Sequence, residues 1–410
     1  MRAFIINSRL IYFDFSLSYR YRNDNYSHLK VLAGYYMKQF MVKGSGAIAL
    51  LLALSCSASD VDQDKLALGK KLYFDSHLSE PAGQSCASCH LPSAGFSDPD
   101  AELPVSRGVN PRHFGNRNTP TTAYAAFSPE FHFNEEEKLY MGGFFHDGRA
   151  ATLEEQAKGP FLNPVEMGNQ DAAMVITKIA AGDYVELFEQ VYGKGALQDV
   201  EQAFDQVADA IASFERSEFF SPFSSKYDFY LRGEVELTAQ EKRGLTLFED
   251  EEKGNCAACH PSSKREDGSY PLFTDFSYDN LGVPKLKESP FYSIDPLYNP
   301  EGAKVIDLGL GAVLNKPEEN GKFKVSSLRN IALTGPYMHN GIFTTLEEVV
   351  EFYNTRDKDD KWDKPEVAEN MNDEELGDLG LSKQEEADIV AFLKTLTDGY
   401  QLPAELATEK

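Results

Sequence analysis

A cysteine, two intervening residues, a second cysteine and then a histidine occur twice in this chain, as Cys86-Ala87-Ser88-Cys89-His90 and as Cys256-Ala257-Ala258-Cys259-His260. That spacing is the attachment signal for c-type haem. Each thiol forms a thioether with one vinyl group of the porphyrin, and the adjacent imidazole reaches the iron from one side. The group on the opposite side then tunes potential and reactivity. A single copy would also fit a zinc or redox Cys-x-x-Cys pair that precedes a histidine by chance. Two copies of similar composition assign Cys86, Cys89, Cys256 and Cys259 to two covalent haems, and His90 and His260 to their irons.

The rest of the chain must accommodate these centres. Its 410 residues are enough for two or three domains. Four of the five cysteines lie in the motifs, which leaves Cys56 alone and excludes a disulfide framework. A formal charge of −25 argues against nucleic acid or an anionic membrane surface as partner, because both would repel it, whereas a basic protein would be steered in.

The amino terminus is layered. Residues 1–36 are tyrosine-rich with neither helical nor strand period, and we read them as a mis-assigned extension ahead of a true start at Met37 or Met41. Residues 37–58 read as an export signal, with Lys38 and Lys43 before an apolar core from Ala47 to Leu54. That core falls short of the roughly 20 apolar residues that span a bilayer. Cleavage after Ala58 gives a soluble protein. Cleavage before Cys56 gives a lipid-anchored one, and Leu54-Ser55-Cys56 resembles a bacterial lipobox with Ala53 in place of the preferred leucine. Either route places the mature protein in the bacterial periplasm.

From Asp62 the apolar pattern is mainly helical. Lys65–Phe74 leads into the first motif, helices fit Ala172–Ala181 and Tyr184–Val191, and Gln198–Glu218 carries Phe204, Val207, Ile211 and Phe214 on one face. Thr152, Thr238, Thr345 and Ser382 each precede a glutamate by three residues and open helices as capping boxes. Residues 91–140 and 261–320 are rich in turn formers and predict irregular structure around the haems. There is also an internal repeat. Gly69-Lys-Lys-Leu72-Tyr-Phe74 matches Gly244-Leu-Thr-Leu247-Phe248, and His146-Asp-Gly-Arg-Ala-Ala-Thr-Leu-Glu-Glu155 matches His339-Asn-Gly-Ile-Phe-Thr-Thr-Leu-Glu-Glu348. The expected fold is mainly α, with two cytochrome c-like haem domains in tandem, at 62–232 and 233–402.

The run from Phe145 to Pro160, the segment Asn163-Pro-Val-Glu166-Met167 and the run from Ser327 to Gly341 resemble the signature of the bacterial dihaem cytochrome c peroxidase/MauG family, over roughly Leu66–Leu396. The resemblance makes the amino-terminal haem the peroxidatic one and the carboxy-terminal haem the electron-transfer one. It places Glu166 as the catalytic acid–base on the open side of the first haem, with Gln156 beside it; a carboxylate there takes a proton from bound peroxide and returns it to the leaving oxygen. The family's blocking histidine, expected just after Gly108, is missing; His113 stands several residues late. A first haem open to peroxide is therefore expected.

At the second haem the usual methionine ligand, fourteen residues after the position of His339, is Tyr353, as in the MauG branch. A phenolate favours ferric iron and lowers the potential, where a thioether raises it. Met338 and Met371 are the rival ligands. The family's inter-haem tryptophan is His146 here, and the MauG branch's exit tryptophan is Gly254; the only tryptophan is Trp362. The resemblance also allows calcium, held by carbonyls of Thr334 and Pro336, although the family's asparagine ligand is replaced by Tyr124. Calcium prefers six to eight oxygens.

The leading expectation is an enzyme that reduces hydrogen peroxide with electrons from a small cytochrome c or similar donor. One alternative is a MauG-like enzyme oxidising a protein or organic substrate through a two-haem high-valent state. A second is a dihaem electron carrier without peroxidase activity. The resemblance allows a homodimer.

Overall fold

Eleven α-helices appear among the described residues, and their starts follow the local capping chemistry read from the sequence. The computed structural model describes residues 62–403, apart from 359. The extension, the export signal and Cys56 therefore lie outside the described residues.

Helix α1 (62–74) precedes the first motif, which forms the single turn α2 (Cys86–Cys89). Helix α3 (Leu153–Leu162) starts on Thr152, whose side chain accepts from the Glu155 N–H. The reciprocal arm of the expected box goes elsewhere: Glu155 accepts from Ala151 N–H at 2.8 Å. Helices α4 (Ala172–Ala180), α5 (Val185–Tyr192) and α6 (Val200–Glu215) follow. Helix α6 begins on Asp199 and stops three residues before the expected Glu218. There the chain turns to bury Phe220 completely, and that burial outweighs continuing the helix.

Helices α7 (Lys226–Leu231) and α8 (Ala239–Glu249) lead to the second motif. After a long irregular stretch come α9 (Leu310–Leu314), α10 (Leu346–Thr355) and α11 (Lys383–Leu393). The boxes at Thr238, Thr345 and Ser382 close reciprocally, as expected. Strand content is small. β1 (His132–Asn134) pairs antiparallel with β2 (Leu139–Met141), and β3 (Tyr278–Asp279) with β4 (Phe323–Lys324). The fold is mainly α.

Two large apolar clusters carry the packing. The first joins Leu68 and Leu72 of α1 to Val175 and Ile179 of α4 and Val207, Ile211 and Phe214 of α6. The second joins Phe248 of α8, Val350 of α10 and Ile389, Phe392 and Leu393 of α11. Between them lies a buried ion pair. The Arg329 guanidinium donates to both Asp228 oxygens at 2.9 Å and to Pro271 O. Burial opposes the charge of Asp228, but the bonds and charge of Arg329 hold its carboxyl below the usual range.

The internal repeat is geometric as well as textual. Phe144 bridges Ala150 across the first His-Asp-Gly turn, and Tyr337 bridges Phe343 across the His-Asn-Gly turn. Positive φ recurs in register, at Phe145 and Gly148 in one and at Met338 and Gly341 in the other.

Candidate functional site

The two motif turns are built alike. His90 N–H donates to Cys86 O at 2.9 Å, and His260 N–H to Cys256 O at 2.9 Å. Each imidazole then spends its Nδ1 on a main-chain carbonyl: Phe96 O at 3.2 Å for His90 and Phe273 O at 2.7 Å for His260. A donor bond at Nδ1 fixes the tautomer that leaves Nε2 bare for a metal. Burial holds both rings below the ordinary histidine value, against those carbonyl bonds, so both imidazoles are neutral, the form that can bind a metal. The four sulfurs form no disulfide, and burial pushes the Cys89, Cys256 and Cys259 thiols up to about 12. In the matured protein these sulfurs would be thioethers. A histidine on each cavity and uncharged sulfurs in each motif fit two covalent haems.

The smaller cavity, about 100 Å³, is lined by His90, Gln156, Phe145 and Glu215. The structure thus brings His90 and Gln156 together. Glu166 sits in the turn after α3, where its carboxylate accepts from Asn163 Nδ2 at 2.8 Å. Its charge raises the thiols of both Cys86 and Cys89, which puts it within electrostatic reach of the attachment site. Burial raises the Glu166 carboxyl, while Arg149 and Asn163 pull it back.

His113 is spent elsewhere. Its Nδ1 contacts Pro164 O at 3.1 Å, its Nε2 contacts Asn110 Nδ2 at 3.2 Å, and its ring meets Tyr298 at 4.8 Å. Val109 holds the place after Gly108 and donates to Glu166 O at 2.8 Å.

The larger cavity, about 250 Å³, is lined by Cys256, Cys259, His260, Tyr353 and Met338 among others. The Tyr353 phenol makes no hydrogen bond with any described residue. Burial first, then both cysteines and Asp279, hold its proton on. Met338 shares this cavity. Met371 packs against Gly282 instead and is absent from the lining. Gly254 is closed to a large side chain, since a Cβ there would lie 2.4 Å from Leu247 O. Trp362 packs on Phe343 and Phe352, with Nε1–H donating to Thr355 Oγ1 at 3.0 Å.

The two cavities share a wall that includes Pro120, Thr121, His146 and Lys324. Asn118 joins the repeated turns, donating its N–H to His339 O at 2.7 Å and accepting at its own carbonyl from His146 Nε2 at 2.9 Å. Burial and the nearby Arg117 push His146 down to about 4. Arg117 is clamped between Asp147 at 2.6 Å and Asp307 at 2.7 Å. The sequence reading passed over Arg117, Asp307, Glu215 and Lys324. Their only signal is adjacency: Arg117 beside Asn118 and Lys324 beside the Ser327 run. Asp307 sits in an irregular stretch with no signal at all.

At the expected calcium position the side-chain ligand is lost. The Tyr124 phenol donates to Asp398 at 3.0 Å and accepts from Phe223 N–H at 2.9 Å, so its oxygen is committed. Thr334 borders the larger cavity and Pro336 is buried. Among the described residues, no group of three or more His, Cys, Asp or Glu is placed to hold a metal ion. The ion would then depend on the Thr334 and Pro336 carbonyls, which accept no hydrogen bond from a described residue.

Comparison with known proteins agrees with this geometry. A family model described as di-haem cytochrome c peroxidase matches residues 63–236. Methylamine utilization protein MauG of Paracoccus denitrificans is 43% identical over 359 residues, covering 83% of this chain and 90% of its own. Cytochrome-c peroxidase IdrP1 of a Pseudomonas species is 31% identical over 352 residues, covering 82% and 81%. The crystal structure of the diheme peroxidase BthA from Burkholderia thailandensis superposes with a TM-score of 0.72 at 37% identity, covering 82% of this chain and 86% of that one. The chain belongs to the dihaem cytochrome c peroxidase/MauG family, and it is an enzyme of that oxidoreductase class.

Proposed function

We propose that the protein reduces hydrogen peroxide at the cavity of His90, drawing electrons through the cavity of His260 from a small cytochrome c or similar donor. The shared wall carries this reading, because two separate carriers would have no use for cavities that meet at His146 and Lys324. Haem, when bound, supplies the iron that binds peroxide and passes electrons. Around it, the His90 and His260 imidazoles would hold the two irons. A Glu166 oxygen accepts the proton that peroxide gives up and returns it to the departing oxygen, with Gln156 and Asn163 orienting the groups. Tyr353, which lines the same cavity as His260, would hold the second iron together with it. We read the chain as two cytochrome c-like units in tandem, 62–232 and 233–402, supported by the repeated turns and by the close approach of Gly69 to Ala210 and of Gly244 to Asp388. The acidic surface suits a basic donor.

A second reading, oxidation of a protein or organic substrate in the manner of MauG, is favoured by the uncommitted Tyr353 phenol. Closure at Gly254 counts against the route through that position. One mixing experiment separates the two: fully ferric protein, one equivalent of peroxide, no reductant. A long-lived optical change supports the MauG-like reading. Reaction only after one haem is pre-reduced, with steady oxidation of a reduced cytochrome, supports the peroxidase. No peroxide consumption with any donor reduces the protein to an electron carrier.

We place the mature protein in the periplasm on the export signal read from residues 37–58. Sedimentation tests the homodimer. Metal analysis of the purified protein tests calcium at the Thr334 and Pro336 carbonyls.

A further inference from the structure

Lys324 is a half-buried cation with no counter-charge among the described residues, placed where the two cavities meet. It stands on β4 and lines both of them. Its main-chain N–H donates to His146 O at 2.8 Å, which fixes it to the first repeated turn. Its ammonium donates to Ser128 Oγ at 2.6 Å and to Gly143 O, and sits 5.4 Å from the ring centroids of Phe144 and Phe276. Among the described residues no carboxylate pairs with it. Desolvation, unopposed by any charged neighbour, pulls it down to about 7.

Arg117, close by, shows the contrast: it has Asp147 and Asp307. An ammonium taken out of water stays charged only where an anion meets it. The described residues bring none to Lys324. The cofactors do, because every haem carries propionate carboxylates on its edge.

We propose that Lys324 is the anchoring cation for a haem carboxylate at the wall between the cavities, and that its charge sets the reduction potential of the haem it holds. Reduction adds an electron, so a fixed positive charge nearby stabilises the reduced form. Anchoring the carboxylate also fixes the haem edge beside the His146 turn. The inference rests on the two-haem reading. A mobile anion such as chloride or phosphate is the other source of the missing charge, and it would make the potential follow the buffer anion.

The test begins with the wild-type holoprotein, by pyridine haemochrome assay and spectroelectrochemical titration in chloride and in phosphate. Fewer than two haems per chain ends the two-haem reading itself. With two haems present, potentials that move with the buffer anion overturn the haem-carboxylate assignment. The variants K324Q and K324R are then compared. The expected result is a fall of at least tenfold in the one-electron reduction constant of one haem in K324Q, about 59 mV, with K324R close to wild type. The haem that shifts names the cavity. Two haems at wild-type potentials in K324Q overturn the proposal. If K324Q does not mature, K324R decides: two haems at wild-type potentials support the charge role, and loss of haem in K324R as well overturns it.

Discussion

Gly244 meets the main chain of Asp388 so closely that a Cβ at 244 would lie 1.9 Å from the Asp388 carbonyl oxygen. Gly69 meets Ala210 in the same way, also at 1.9 Å, and the next contacts are the matching Phe392 and Phe214 side chains. The helix before each motif therefore crosses the last long helix of its own cluster at a glycine. G69A and G244A force backbone apart from backbone. Each should destabilise by about 1–3 kcal/mol as overpacking, outweighing the roughly 1 kcal/mol that alanine gains in a helix. Denaturant unfolding measures the loss; unchanged midpoints would show that the crossings can open without cost.

Tyr353 should control the second haem. Y353M introduces a thioether and raises that haem's potential, by at least about 59 mV, a tenfold change. Y353F leaves the position to Met338 or to water. Low-temperature EPR with potentiometry reads both. A Y353F spectrum identical to wild type would remove Tyr353 from the iron.

Glu166 must be ionised to accept a proton. Burial raises its carboxyl above the ordinary value, so peroxide turnover should fall as pH drops through a point above the usual glutamate range. E166Q should abolish that acid limb and cost about 10²–10⁴-fold in rate. N163A removes a bond that favours the carboxylate and should move the limb higher still. A limb unmoved in N163A would detach Asn163 from the step.

Asp228 and Arg329 are 0% and 1% exposed at their side chains. D228N strands the guanidinium and should cost about 3–5 kcal/mol. The Asp228 carboxyl is depressed in the fold, so its contribution is full above the unfolded value near pH 4 and is lost as pH falls through the folded value. Unfolding midpoints of wild type and D228N should therefore converge in acid and differ most near neutrality.

The sequence alone determined the cofactor class, since covalent haem attachment needs its sulfurs and imidazole within five consecutive residues. It determined most helix starts as well, because a cap is made within one turn, as at Thr238, Thr345 and Ser382. The end of α6 was misjudged because burial of Phe220 is not a local property. Gly69 and Gly244 were visible as a repeat, but their purpose was not, because the carbonyls they admit belong to distant helices.

The tertiary structure decided what each marked residue does. It spent both nitrogens of His113 on its own loops, removed Met371 from the second cavity and committed the Tyr124 phenol to Asp398. It also brought Asp307 to Arg117 across 190 residues, and set Lys324 where two cavities meet. Charge partners joined through irregular loops follow no period, so only folding reveals them.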